Sequence, residues 1–262
     1  MKVNENDQVD ISILITCYNE QNFIIETIEN VIAALNESNR SYEIIVIDDV
    51  SKDNSVNVIN AFIQKHPEYP IKLVVNKVNR GLANNFVDGA FLGKGKYYRL
   101  CCGDNPEPKE TLTHLFRHIG VADLIIPYQK QREVVGKSLY RKLLSRFAVI
   151  LVNAISGFKI KYYNGSPIFL RYHVMRWSPI TYGFGFQMDI ITRLFDEGVN
   201  YVQIPSFNTI DRKGKNTTAL SMRNILSVAH TLMEIAIRRV RRLLYRKYLP
   251  KPVEIKIAET WD

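Results

Sequence analysis

Clusters of polar and charged residues stand where apolar runs end. Ile11–Thr16 runs into Thr16-Cys17-Tyr18-Asn19-Glu20, Tyr42–Asp48 closes on Asp48-Asp49, Ile71–Asn76 leads into Asn76–Gly81, and Tyr97–Cys102 closes on Gly103-Asp104-Asn105. Carboxylates gathered at neighbouring chain ends are costly unless cations or hydrogen-bond donors meet them. Two kinds of ligand answer that need. A nucleotide donates through base and ribose, and a divalent cation sits between carboxylate and diphosphate. The plainer alternative is that each acid caps the helix behind it. That suffices for any one acid alone and poorly for the set.

The elements that hold these clusters follow from periodicity. The apolar runs, with a fifth at Ala122–Pro127, read as strands. Between the first two, Ile24, Ile28, Val31 and Leu35 fall on one helical face. Asn22 or Glu20 is the expected cap there, and Asp53 the cap of a helix from about Ser55 to His66. Further helices are expected over Gly81–Leu92 and Pro108–Ile119. Strand and helix alternating in this way predict an α/β fold with a mostly parallel sheet flanked by helices. Ligands of such sheets bind beyond the carboxyl ends of the strands, where the clusters lie.

After Gln129 the pattern changes. A basic loop leads into an amphipathic stretch with Leu139, Leu143, Phe147, Ile150 and Leu151 on one side and Arg141, Lys142 and Arg146 on the other. A turn at Asn164–Pro167, a strand, a helix over Phe186–Glu197 and a strand at Tyr201–Ile204 follow. The polar segment Asp211–Thr218 precedes a long helix, Ser221–Tyr248. The expected organisation is a catalytic domain over 1–220, divided into 1–127 and 128–220, with a basic amphipathic helix and tail over 221–262.

Ile13-Leu14-Ile15-Thr16-Cys17-Tyr18-Asn19-Glu20 resembles the opening strand of family 2 glycosyltransferases. Asp48-Asp49-Val50-Ser51 is similar to their second-strand signature, and Asn79-Arg80-Gly81 to the turn after their third strand. The resemblance covers Val9 to Asn224 and is nearest to the dolichol-phosphate mannosyltransferase-like branch. It implies a GT-A Rossmann-like fold and a nucleoside-diphosphate sugar donor, with UDP or GDP as the nucleotide. It implies that Thr16, Tyr18, Glu20, Asp48, Asp49, Asn79 and Gly103 line the donor site. Asp104 matches the metal-binding acid of the family's Asp-x-Asp motif, which implies Mg²⁺ or Mn²⁺ at Asp104 with help from Asn105 or Glu107. Arg212 and Lys215 match a loop that closes over the diphosphate. Arg132, Arg141, Arg146 and Ser166 fall on the acceptor side. Asp189 is the base candidate if the acceptor is an alcohol and a positioning residue if it is a polyprenyl phosphate, which is already ionised. Two departures stand out. Cys102 replaces the first acid of the Asp-x-Asp motif, and Val50 stands where glycine is usual.

Charge and composition bound the rest. The chain of 262 residues carries a formal charge of +9, is 46% apolar and has three cysteines in no CxxC spacing. That excludes a disulfide scaffold and disorder. Met1 to Asp10 is polar, without an apolar h-region, and Phe147 to Phe158 is too short to span a bilayer. The expectation is a cytoplasmic protein, peripheral on the inner face of an anionic membrane. Its final helix, with Arg238, Arg239, Arg241, Arg242, Arg246 and Lys247, is the expected contact. Nucleic acid is not expected as a partner, since the strand-end acids oppose it, and self-association stays open. Two alternatives to a lipid phosphate acceptor remain: a saccharide or other hydroxyl acceptor, and a nucleotide-sugar-binding protein without turnover.

Overall fold

The computed structural model describes residues 8–104, 107–129, 139–179, 185–207, 222–245 and 250–257. These form two compact units. The first joins residues 1–120 to 166–178, and the second joins 121–165 to 179–262.

The first unit is built on five strands, β1 (Ile11–Cys17), β2 (Tyr42–Asp48), β3 (Ile71–Val75), β4 (Tyr97–Cys102) and β6 (Ile168–Leu170), in the order β3-β2-β1-β4-β6. The first four are parallel, and β6 pairs antiparallel with β4. Helices α1 (Ile24–Glu37), α2 (Ser55–Lys65), α3 (Leu82–Leu92) and α4 (Lys109–Arg117) connect them, and the five-residue α6 (Arg171–Met175) follows β6. Ile11, Ile13, Leu14, Ile15, Ile44 and Val46 are buried, as a parallel sheet covered on both faces requires. The chain winds outward from β1 to β3 and returns on the other side of β1 as β4. The crevice between the carboxyl ends of β1 and β4 is therefore the topological switch point, the usual ligand position in such sheets.

Neither Asn22 nor Glu20 caps α1 with its side chain: Phe23 holds the cap position without a side-chain bond, and the Glu20 carbonyl accepts from the Phe23 and Ile24 N–H groups. Asp53 does take the N–H of Ser55, at the first residue of α2.

In the second unit β5 (Leu124–Gln129) and β7 (Tyr201–Ser206) pair in parallel. Helices α5 (Leu139–Ser156), α7 (Phe186–Asp196) and α8 (Met222–Tyr245) complete it, and α8 packs on both α5 and α7. After α8 the chain returns to the edge of β7, where Tyr201 N–H donates to the Val253 carbonyl and Ile255 N–H to that of Tyr201. No helix among the described residues is long and apolar enough to cross a membrane.

Candidate active site

The loops after β1 and β2 are laced together. The Asp49 N–H donates to the Cys17 carbonyl, and Asn19 N–H to the Ser51 hydroxyl. Lys52 N–H returns a bond to Asn19 Oδ1 at 2.7 Å, and Glu20 N–H donates to Ser55 Oγ at 2.9 Å. Cys17 lies under these loops, and burial pushes its thiol up to about 11, against the bonds from Ser55 and Ser51. It is a packed thiol, not a nucleophile.

The two aspartates that end β2 differ. Asp49 is the anchor of the third loop. Its Oδ1 accepts from Asn76 Nδ2 and the Arg80 N–H, both at 2.8 Å, and its Oδ2 from the Gly81 N–H at 2.9 Å. Asn79 Nδ2 donates to the Asp49 carbonyl. Burial works against the charge of this carboxyl, but the donors from Arg80, Asn76 and Gly81 outweigh it and hold its pKa below the ordinary aspartate value. Asp48 is fully buried, and its Oδ1 takes the Ser51 N–H at 3.0 Å. Its Oδ2 is buried without a hydrogen-bond partner among the described residues. A buried carboxylate oxygen left unpaired costs about 1–3 kcal/mol.

Val50, next in the chain, has φ +71°, the left-handed region that glycine adopts freely and a β-branched residue resists. The bonds on either side of it hold the turn in place. Val50→Gly should therefore raise the stability by about 1 kcal/mol, read as a higher urea midpoint at unchanged m. A midpoint that falls would show the valine side chain to be worth more than the strain.

β4 brings its own loop to the switch point. The Gly103 N–H donates to the Thr16 carbonyl at 3.0 Å, and its carbonyl accepts from Thr27 Oγ1. A Cβ at Gly103 would lie 2.6 Å from the Thr16 carbonyl oxygen, so only glycine allows this approach of β4 to β1. Asp104 is thereby carried next to the β1 loop, with the Tyr18 ring half exposed at the end of β1. Thr16, Tyr18, Glu20, Asp48, Asp49, Asn79, Gly103 and Asp104 thus gather at the carboxyl ends of adjacent strands of one unit. Asn105, Arg132, Arg212 and Lys215 lie outside the described residues, as does the side chain of Arg141.

Beneath this loop is an arginine that sequence reasoning missed. Arg99, in the middle of β4, is fully buried. Its Nη2 donates to Glu107 Oε1 at 2.6 Å, its Nη1 to Cys101 Sγ at 3.1 Å, and its Nε to the Ser166 carbonyl at 3.0 Å. Burial opposes its charge, and Glu107 and Cys101 outweigh the burial and hold the guanidinium protonated. Glu107 is thus committed to Arg99, which corrects its expected part as a helper at the metal. Ser166, at φ +51°, is fixed through its carbonyl by the same arginine.

Asp189, the candidate base or positioning residue, lies in a buried ion-pair cluster. Its carboxylate accepts from Arg193 Nε at 2.9 and 3.0 Å and from Arg238 Nη1 at 2.7 Å, and the residue is 1% exposed. Two turns on, Asp196 receives Arg238 Nε and Arg239 Nη1, both at 2.9 Å, and Arg242 Nη1 at 3.0 Å. Three of the arginines expected to face a membrane are turned inward, because two buried carboxylates of α7 require cations. Arg146 is exposed on α5.

Among the described residues no three His, Cys, Asp or Glu side chains are grouped to hold a metal ion. The site instead offers Asp104 two residues after Cys102, which is partly buried and in no disulfide. One carboxylate completed by diphosphate oxygens and water suits Mg²⁺ or Mn²⁺, and a thiol adds nothing for such hard ions.

Comparison with known proteins agrees with this geometry. The family described as Glycosyl transferase family 2 matches residues 12–181. The chain is 35% identical over 106 residues to dolichyl-phosphate beta-glucosyltransferase of Dictyostelium discoideum, covering 38% of this chain and 32% of that protein. It is 30% identical over 115 residues to undecaprenyl-phosphate 4-deoxy-4-formamido-L-arabinose transferase of Shewanella sediminis, covering 44% and 34%. The matched segments span about a third of the length of these relatives. Among solved structures, glucosyl-3-phosphoglycerate synthase from Mycobacterium tuberculosis, in complex with Mn²⁺, UDP and phosphoglyceric acid, superposes with a TM-score of 0.63. It is 14% identical and covers 87% of this chain and 78% of that one. The fold is thus the α/β GT-A fold.

Proposed function

The chain belongs to glycosyl transferase family 2, and from that premise we propose that it transfers a sugar, with inversion, from a UDP- or GDP-linked donor to a polyprenyl phosphate at a membrane surface. The observation that carries the donor half is Asp48: a buried carboxylate at the carboxyl end of β2, the strand next to β1, with one oxygen unpaired among the described residues. A ribose hydroxyl or base N–H donating there removes the cost of that orphan. Tyr18 offers an exposed ring beside it for stacking, and Asp49 holds the neighbouring loop in shape.

An acceptor phosphate oxygen attacks the anomeric carbon opposite the diphosphate. The new C–O bond forms as the bond to the β-phosphate breaks, and the nucleoside diphosphate leaves with both electrons. Asp104 would hold the divalent ion, which supplies Lewis-acid stabilisation of the leaving diphosphate. Arg212 and Lys215 would close over the diphosphate, and Arg132, Arg141 and Arg146 would meet the acceptor phosphate. Asp189 supports a phosphate acceptor: engaged by two guanidinium groups, it serves to hold arginines, and an ionised phosphate needs no base. The names of the relatives, a dolichyl-phosphate and an undecaprenyl-phosphate transferase, support the same acceptor class.

The test incubates the purified chain and Mn²⁺ or Mg²⁺ with UDP-, GDP- and dTDP-sugars, with and without polyprenyl phosphate. Nucleoside diphosphate release should need the lipid, and Asp104→Ala should reduce it about 100-fold or more. Asp189→Asn should retain turnover within about tenfold; near-complete loss in that variant points to a hydroxyl acceptor. No release with any donor would overturn the assignment of turnover.

A further inference from the structure

More than half of the exposed large apolar side chains among the described residues lie on α5 and α8, the packed helix pair of the second unit. On α5, Leu143, Phe147 and Ile150 follow i, i+4, i+7 spacing and are each more than 60% exposed. On α8, Leu226, Met233, Ile237, Val240 and Leu244 form one continuous stripe, each more than 50% exposed. The opposite face of α8 is the one that packs: Thr231, Ile235 and Arg242 are buried there, and Arg238 reaches Asp189 and Asp196. The helix is amphipathic in the sense opposite to the usual surface helix, with cations inside and aliphatic residues outside. Exposed apolar stripes of this length mark a contact surface.

We propose that the outer faces of α5 and α8 together are a lipid-docking surface, which seats the second unit on an anionic bilayer without spanning it. Charge selects the occupant. The α5 sequence has three cations and no acid; of the five arginines of α8, Arg238, Arg239 and Arg242 pair inward with Asp189 and Asp196 and do not count toward the outer face, and the helix carries a single acid, Glu234. Arg146 and Arg241 are exposed beside the apolar stripes. A second copy would bring the same cations against these, whereas anionic headgroups answer them. Because Arg238, Arg239 and Arg242 are spent on Asp189 and Asp196, attachment rests chiefly on apolar insertion, not on the arginine cluster. Binding should therefore outlast a rise in salt that would release a purely basic patch. The same helix reaches Asp189 through Arg238, so the surface that meets lipid and the residue expected near the acceptor belong to one strut. This inference rests on the polyprenyl phosphate reading of the acceptor.

The full chain is sedimented with vesicles of phosphatidylcholine alone and of phosphatidylcholine mixed with phosphatidylglycerol. It should bind the mixed vesicles and retain much of that binding at high salt. The pairs Phe147→Ser with Ile150→Ser and Ile237→Ser with Leu244→Ser should each weaken it about tenfold or more. Val78→Ser, exposed on the first unit, should leave it unchanged. UDP or GDP affinity, unchanged in each pair, verifies the fold. Absence of binding by the unaltered chain overturns the proposal. So do unchanged binding in both pairs and a dimer that the same pairs disperse while vesicle binding is absent. Transfer to a short, water-soluble polyprenyl phosphate separates the two readings. Vesicle binding without that transfer supports the docking surface and removes the acceptor assignment, whereas transfer without vesicle binding does the reverse.

Discussion

Glu107→Gln is expected to lower the stability of the chain by about 3 kcal/mol, a large part of the 5–15 kcal/mol typical of a folded protein. Arg99 is fully buried in β4, and its charge is met by one carboxylate, at 2.6 Å, and one thiol. Removing that carboxylate's charge leaves a guanidinium in the interior without its counter-ion. Breaking a buried pair in this way costs about 3–5 kcal/mol, and the amide of glutamine retains one acceptor, which places the loss at the lower end. Arg99→Met with Glu107→Leu should cost less than the sum of the single changes, because no charge is then left behind. Urea unfolding with a double-mutant cycle measures both. A loss below about 0.5 kcal/mol for Glu107→Gln would mean that water reaches the arginine. The pair matters beyond stability, since it ties both Glu107 and the Ser166 turn to β4.

The donor half was legible because its physics is local. Three parallel strands, β1, β2 and β4, are largely buried and must be written as apolar runs, β3 forms their part-exposed edge, and the polar residues that end all four must lie at the carboxyl edge. The short strand β6 is expected from the turn at Asn164–Pro167 that precedes it, but helix α6 is not so marked: five residues carry too little periodicity to register. Arg99 leaves a signal in the sequence. A lone cation inside Tyr97–Cys102, a run otherwise apolar, has to find an anion, and Glu107 is the acid eight residues on. The direction of the α8 arginines was harder to read. Composition counts cations without saying which way they point. The complementary pattern is nonetheless present: Asp189 and Asp196 lie seven apart on one face of α7, and Arg238 and Arg242 four apart on one face of α8. Long-range pairing of that kind needs the packing of α7 on α8, which no single window contains.

Asp48→Asn is expected to weaken UDP or GDP binding about tenfold to 100-fold while making the protein more stable, by about 1–2 kcal/mol. The two effects have one cause. In the free protein Asp48 Oδ2 is a buried carboxyl oxygen with no partner among the described residues, whereas Oδ1 is occupied by the Ser51 N–H. An asparagine keeps an acceptor for Ser51, so the turn through Val50 survives, and it removes the charge whose burial is uncompensated. The same exchange replaces the waiting acceptor with an NH₂ group, which turns its own hydrogens toward a ribose hydroxyl or base N–H. Binding then loses a charge-assisted hydrogen bond: a base N–H meets a second donor, and a ribose hydroxyl is left with a reversed, neutral bond. Asp49→Asn should behave in the opposite way. Its carboxylate already accepts from Asn76, Arg80 and Gly81, so that change lowers stability and reaches the nucleotide only through a loosened loop. Thermal unfolding and calorimetric titration of both variants, with and without Mn²⁺, separate a residue held ready for a ligand from one that holds the fold. If Asp48→Asn lowers stability and affinity together, Asp48 is structural and the donor assignment loses its main support.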